Sequence, residues 1–205
     1  MKIIGITGGI GSGKTSVLNF ISSHYIADIY YADQIAKELE LRGTIVYDRL
    51  VDVFGKGILE KGEGSEIDPG KFAAVLYKSD SDENLEKANA IIHPAVEEYI
   101  VNKMRYAVKL HETELFFIEA ALLIEKGYKN MVDEMWYIYT DEETRIKRLM
   151  ESRGYTRKKA LSIMKNQLND EEFRAGSDVI IDNSSEPEKA YEQVKKRLEG
   201  FTWVE

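Results

Sequence analysis

The stretch Gly8-Gly9-Ile10-Gly11-Ser12-Gly13-Lys14-Thr15 follows an apolar run, Lys2–Thr7, and opens a helix-period segment from about Lys14 to Ser23. It reads as a glycine, four residues, a second glycine, then Lys and Thr, a pattern in which each position has a physical reason. Glycines let the backbone take φ above zero and bring N–H groups close to the oxygens of an anion. The first helical turn adds unpaired N–H donors and the positive end of the helix dipole. Lys14 supplies a full charge for β- and γ-phosphates, and the Thr15 hydroxyl suits a Mg²⁺ shell. With Gly at about 7% of residues, chance would produce such a match on the order of once per hundred chains of this length. The strand before it and the helix after it lower that figure. The segment therefore predicts ATP binding by Gly8, Gly9, Ile10, Gly11, Ser12, Gly13, Lys14, Thr15 and Ser16. A dinucleotide-binding turn does not fit, because Lys14 stands where its third glycine is needed.

Further apolar runs alternate with helix-period stretches: Ala27–Tyr31, Leu115–Ile118, Met135–Tyr139 and Val179–Ile181. This alternation predicts an α/β fold, a P-loop NTPase core with a five-stranded parallel sheet flanked by helices. Between the second and third runs, residues 34–113 read as helical throughout. Asp68-Pro69 is a capping pair ahead of Phe72 and Leu76, and Pro94 is expected to begin a helix carrying Val96, Ile100, Met104 and Val108. At roughly eighty residues this block is too long for a plain crossover and reads as an insertion. A helical stretch from about Asp141 to Ala175 carries Arg145, Arg148, Arg153, Arg157 and Arg174, and Pro187 opens a last helix.

The 205 residues include 43% hydrophobic and 31% charged residues, enough for a sizeable core, which excludes disorder and a disulfide scaffold. With 28 Lys and Arg against 36 Asp and Glu, the net charge is −8, which argues against a general nucleic-acid binder. A small anionic substrate stays compatible if cations gather in one cleft. Cysteine is absent, which excludes disulfides, thiolate metal sites and cysteine nucleophiles. No apolar run approaches the ~20 residues of a membrane span, and the glycine-rich start does not read as a secretory signal. The expectation is a cytoplasmic enzyme without nucleic-acid or membrane partners, acting as a monomer or small homo-oligomer.

Two carboxylates stand out. Asp33 lies just past the second run, at the carboxyl edge where ligands of open parallel sheets bind, and suits a general base toward an attacking hydroxyl. It equally suits the N-cap of a helix starting at Gln34. Glu119 ends the third run and fits either a Mg²⁺ position through water or a structural salt bridge. A GTPase is disfavoured: the Asn-Lys pair is followed by Met104-Arg105, and Asp52-Val53-Phe54-Gly55 reads as a helix ended by Gly55.

Gly5–Lys14 and Tyr31-Ala32-Asp33-Gln34-Ile35-Ala36 resemble the dephospho-CoA kinase family. So do Phe54-Gly55-Lys56-Gly57-Ile58-Leu59, Ile91-Ile92-His93-Pro94, Leu122-Leu123-Ile124-Glu125, Arg148-Leu149 and Asp178–Asn183, in matching order over nearly the whole chain. The resemblance implies a nucleoside-monophosphate-kinase-like core made of 1–35, 112–140 and 176–205. It also implies a helical substrate-binding (CoA) domain at 36–111 and a helical lid at 141–175. It implies transfer of the ATP γ-phosphate to the ribose 3′-hydroxyl of dephospho-CoA, with Mg²⁺, for which Thr15 and Glu119 are the candidates already read from the residues. Asp33 and Lys14 become the catalytic pair, Asp33 and His93 substrate residues, and Arg148 and Asn183 further ATP-binding residues. For His93 a packed imidazole at a helix start stays open. Against the family pattern, Glu119-Ala120-Ala121 replaces Asp-Ile-Pro, and Ser152, Ile163 and Phe173 stand at expected basic positions, while Gln167 is kept. Another small-molecule kinase on the same core, or a non-catalytic ATP-binding regulatory module, are the alternative readings.

Overall fold

The computed structural model describes residues 1–62, 64–78, 82–110 and 113–201. They divide into two compact units: residues of 1–30 with 110–205, and residues of 31–109. The boundary expected between 111 and 112 lies outside the described residues.

The first unit is built on β1 (Lys2–Thr7), β2 (Ala27–Tyr31), β3 (Leu115–Glu119), β4 (Glu134–Tyr139) and β5 (Val179–Asp182), in the order β2-β3-β1-β4-β5. β1 runs parallel to both β3 and β4, and β4 to β5. Phe116, Phe117 and Ile118 on β3, and Met135, Trp136 and Ile138 on β4, are consecutive or nearly so and all fully buried. Such unbroken burial means that both sheet faces are covered, as crossover helices require. One cover is α1 (Lys14–His24) beside the last helix, α9 (Pro187–Glu199), where Phe20 stacks on Tyr191 at 4.4 Å. Because β1 lies between β3 and β4, the chain leaves it toward one side first and the other later. This reversal opens a crevice at the carboxyl end of β1, where the glycine-rich loop sits.

The stretch expected as one helix from Asp141 to Ala175 is three: α6 (Glu142–Arg153), α7 (Arg157–Lys165) and α8 (Asp170–Gly176). Gly154 in the left-handed region ends α6, Thr156 caps α7, and an Asn169–Glu172 capping box starts α8. These stop and start signals outweigh a continuous helical period.

The second unit contains α2 (Ala32–Leu39), α3 (Ile45–Phe54), α4 (Pro69–Leu76) and α5 (Glu83–Leu110). Val46, Leu50, Ile58, Phe72 and Ala88 form its own core. Asp68 caps α4 with Pro69 at the first helical position, as the sequence predicted, and Thr44 caps α3. Gly55, at φ 75°, ends α3, so Asp52–Gly55 is a helix terminus. The unit is not helical throughout, because Leu59 and Ile67 form an antiparallel bridge. Pro94 does not begin a helix; it lies inside the long α5. Its ring removes one N–H from the ladder, a local cost that the buried residues Ala88, Val96 and Ile100 on either side outweigh. No helix among the described residues is long and apolar enough to cross a membrane.

One buried polar group sits at the start of β4. Glu134, 9% exposed, accepts hydrogen bonds from the fully buried Trp136 indole at 2.8 Å and from Arg197 Nε at 2.9 Å. Glu134→Ala leaves the indole N–H without an acceptor and is expected to lower the unfolding free energy by about 2–3 kcal/mol. Urea denaturation measures this, and Glu134→Gln, which retains an acceptor for the indole, is expected to lose less.

Candidate active site

Residues from the carboxyl ends of four neighbouring strands converge on the loop 8–15. Gly13, at φ 85°, is the N-cap of α1, and a side chain there would overlap the Asn183 amide. Gly9 admits a close approach of another kind: a Cβ there would overlap the Arg145 guanidinium. Gly13 also lies in the left-handed region that favours glycine, whereas a side chain at Gly9 would require the Arg145 guanidinium to shift. Thr15 is exposed in the first turn of α1, where helix geometry leaves its N–H and that of Lys14 open. The Ser16 hydroxyl is engaged by Tyr191 OH at 2.8 Å, so it holds α1 to α9.

Lys14 folds back over the loop. Its ammonium donates to the Gly8 carbonyl at 2.7 Å and pairs with Glu119 Oε1 at 3.4 Å. Glu119 reaches this position because β3 registers it against Ile6, at the end of β1. The salt-bridge reading of Glu119 is therefore realised, and its partner is the loop lysine itself.

Two arginines of α6 approach the loop from the other side. Three residues apart, they project from one face of the helix. Arg145 Nε donates to the Ile10 carbonyl at 2.9 Å, and Arg148 Nη2 to the Asn183 carbonyl at 2.9 Å. Burial of the Arg145 guanidinium lowers its pKa, with Tyr137 and Glu142 opposing. Burial likewise raises the neighbouring Tyr137 phenol, and Asp170 reinforces that rise. The cations that a net charge of −8 left unplaced are thus gathered around one loop.

The Asn183 side chain serves the loop backbone directly, donating from Nδ2 to the Ser12 carbonyl at 2.8 Å. Thr140, which sequence reasoning passed over, donates to the same carbonyl at 2.9 Å. Its signal was its place at the carboxyl end of β4, the strand beside β1. Gln167 also meets the loop, accepting from Ile10 N–H at 2.8 Å. The three departures from the expected basic positions have plain physical settings. Phe173 is buried and stacks on Tyr137 at 4.8 Å, a sheet-facing place that no charge would suit. Ser152 bonds its own helix, at the Arg148 carbonyl, and Ile163 is half-buried.

Asp33 and His93 belong to the second unit. Asp33 is not an N-cap: α2 begins at Ala32, with Tyr31 in the capping position, so Asp33 is exposed in the first turn. β2 runs straight into the helix, which moves the start two residues ahead of the expected one. His93 is half-buried within α5, one residue before Pro94.

The oxygen donors at the loop fit a hard divalent cation. Thr15 offers an exposed hydroxyl and Glu119 a carboxylate, while no cluster of three or more His, Cys, Asp or Glu exists among the described residues. A cation with so few protein ligands would take phosphate and water oxygens for the rest, which is the habit of Mg²⁺.

The sequence profile of the family described as dephospho-CoA kinase matches residues 2–189. A dephospho-CoA kinase of Carboxydothermus hydrogenoformans is 34% identical over 203 residues, covering 99% of this chain and 96% of that one. The crystal structure of TT1252 from Thermus thermophilus superposes with a TM-score of 0.80 at 26% identity, covering 98% of both chains. A dephospho-CoA kinase structure from Campylobacter jejuni gives a TM-score of 0.70 at 23% identity, with 96% and 95% covered, which supports the fold alone.

Proposed function

This chain belongs to the dephospho-CoA kinase family, and on that premise we propose how its residues share the phosphoryl transfer. The reaction is transfer of the ATP γ-phosphate to the ribose 3′-hydroxyl of dephospho-CoA, giving coenzyme A and ADP. The observation that carries the reading is the convergence of Lys14, Arg145 and Arg148 on a glycine-rich loop that opens α1.

The loop N–H groups and the α1 dipole receive the β- and γ-phosphates, and Lys14 turns from the Gly8 carbonyl to the transferred group. Thr15 and Glu119 would hold Mg²⁺, which would supply neutralisation of phosphate charge. Asp33 orients the 3′-hydroxyl and takes its proton as the bond to phosphorus forms. What supports this role is its place directly after β2 and its match to the family's Ala-Asp. His93 contributes on the side of the CoA substrate, within the helical unit. Arg148 stabilises negative charge on the transferring phosphoryl group, and Arg145 holds the loop backbone. Absence of cysteine and the small soluble substrates fit a cytoplasmic setting without nucleic-acid or membrane partners.

The test is ADP release with dephospho-CoA, adenosine and simple alcohols as competing acceptors. Saturable turnover with dephospho-CoA alone is expected, and equal turnover with a simple alcohol would overturn the reading. Within the site, Arg148→Ala is expected to lower kcat/KM by roughly two orders of magnitude, the scale of one transition-state charge contact. Arg145→Ala is expected to lose roughly tenfold, because it removes a backbone clamp and not a phosphate contact. Steady-state kinetics separates them; equal small losses would remove both arginines from the reaction.

A further inference from the structure

We propose that Gln167 is a positioning residue for ATP, acting through the Ile10 peptide. Its side-chain oxygen accepts from Ile10 N–H at 2.8 Å and from Arg145 Nη2 at 3.3 Å. Arg145 in turn donates from Nε to the Ile10 carbonyl at 2.9 Å. Both polar groups of one loop residue, N–H and C=O, are therefore fixed by two side chains that also bond each other. The contacts bridge 157 and 135 residues of chain, so neither is a by-product of local helix geometry.

The consequence concerns loop pre-organisation. A glycine-rich loop has many conformations to lose on binding phosphate. The second half of this loop is held by its own helix and by Asn183 and Thr140 at the Ser12 carbonyl. The first half has the Lys14 bond to Gly8 and the Ile10 clamp. When ATP draws Lys14 toward its phosphates, the Gly8 bond is given up, and the Ile10 clamp, together with the Ser12 N–H bond to the Gly9 carbonyl at 3.2 Å, keeps that half in place. Because Gln167 takes the Ile10 N–H, that donor is turned away from the phosphates, and the donors left to them are those nearer α1. Gln167 follows Asn166, the C-cap of α7, with the Asn169 cap of α8 two residues on. Ordering of this short connection is thereby coupled to the loop that binds nucleotide.

The inference rests on reading this loop as the ATP site, and direct binding of ATP tests the two separately. Gln167→Met keeps length and removes the acceptor; Gln167→Glu keeps an acceptor. The Kd for ATP, by calorimetry without any acceptor substrate, is expected to rise roughly tenfold in Gln167→Met, the scale of one lost hydrogen bond to a partly buried donor. Gln167→Glu is expected to recover binding to within about threefold of the parent at high salt, where the added charge is screened. Both variants are expected to melt within a few degrees of the parent without nucleotide, and kcat at saturating ATP is expected to change less than KM. If Gln167→Met binds ATP as the parent does, or if both variants lose equally with a lowered apo melting point, Gln167 is a packing residue and the inference falls. A parent chain that bound no ATP would instead overturn the reading of the loop.

Discussion

Lys14→Ala is expected to retain the fold and to lose roughly three orders of magnitude or more in kcat/KM. The ammonium is the full charge on the loop itself, 14% exposed and placed between the Gly8 carbonyl and Glu119. At ~4 Å and an effective dielectric constant of ~20, one such charge is worth about 4 kcal/mol against a single phosphate charge, which is about a thousandfold in rate. Removal also breaks the ion pair to Glu119. Single-turnover rates at saturating ATP, with melting curves for each variant, separate chemistry from folding. A Lys14→Ala rate within tenfold of the parent would end the assignment of this loop to phosphate transfer.

Asp33→Asn is expected to lose roughly two orders of magnitude in turnover, the usual scale for a general base. The transition state of phosphoryl transfer is loose, so part of this is orientation of the hydroxyl and not proton removal. The position of Asp33 in α2 sharpens the test. In the first turn, and not at the cap, its side chain interacts with the helix dipole, an effect of about 0.3–1 kcal/mol that Asn gives up. A melting point within a few degrees of the parent and unchanged ATP binding are expected alongside the lost turnover. Turnover within threefold of the parent would reduce Asp33 to a dipole partner, and Glu119 would be the next base to examine.

Features that depend on a few adjacent residues were legible in the chain. The loop 8–15, the sheet strands and the caps at Asp68-Pro69 and Gly55 are set by local steric and hydrogen-bonding preferences, and the structure has them where expected. The split of 141–175 into three helices was also written locally, in Gly154, Thr156 and Asn169, although the stretch was read whole as helical. Pro94 misled for the opposite reason: its local preference for a helix start is real, yet packing of α5 on both sides of it is stronger.

The sequence by itself determined an α/β core with a phosphate-binding loop on its central strand, because glycine φ freedom, helix ends and buried strand runs act over short range. Only the tertiary structure decided which charges meet that loop. Spacing could bring Arg145 and Arg148 to one helix face, but not show that the face turns toward Ile10 and Asn183 and away from solvent. Lys14 finds Glu119, and Ile10 finds Gln167, across separations at which sequence carries no distance. Glu119 meets the loop because the strand order puts β3 beside β1, so their carboxyl ends share one crevice, whereas Gln167 arrives from the turn between α7 and α8.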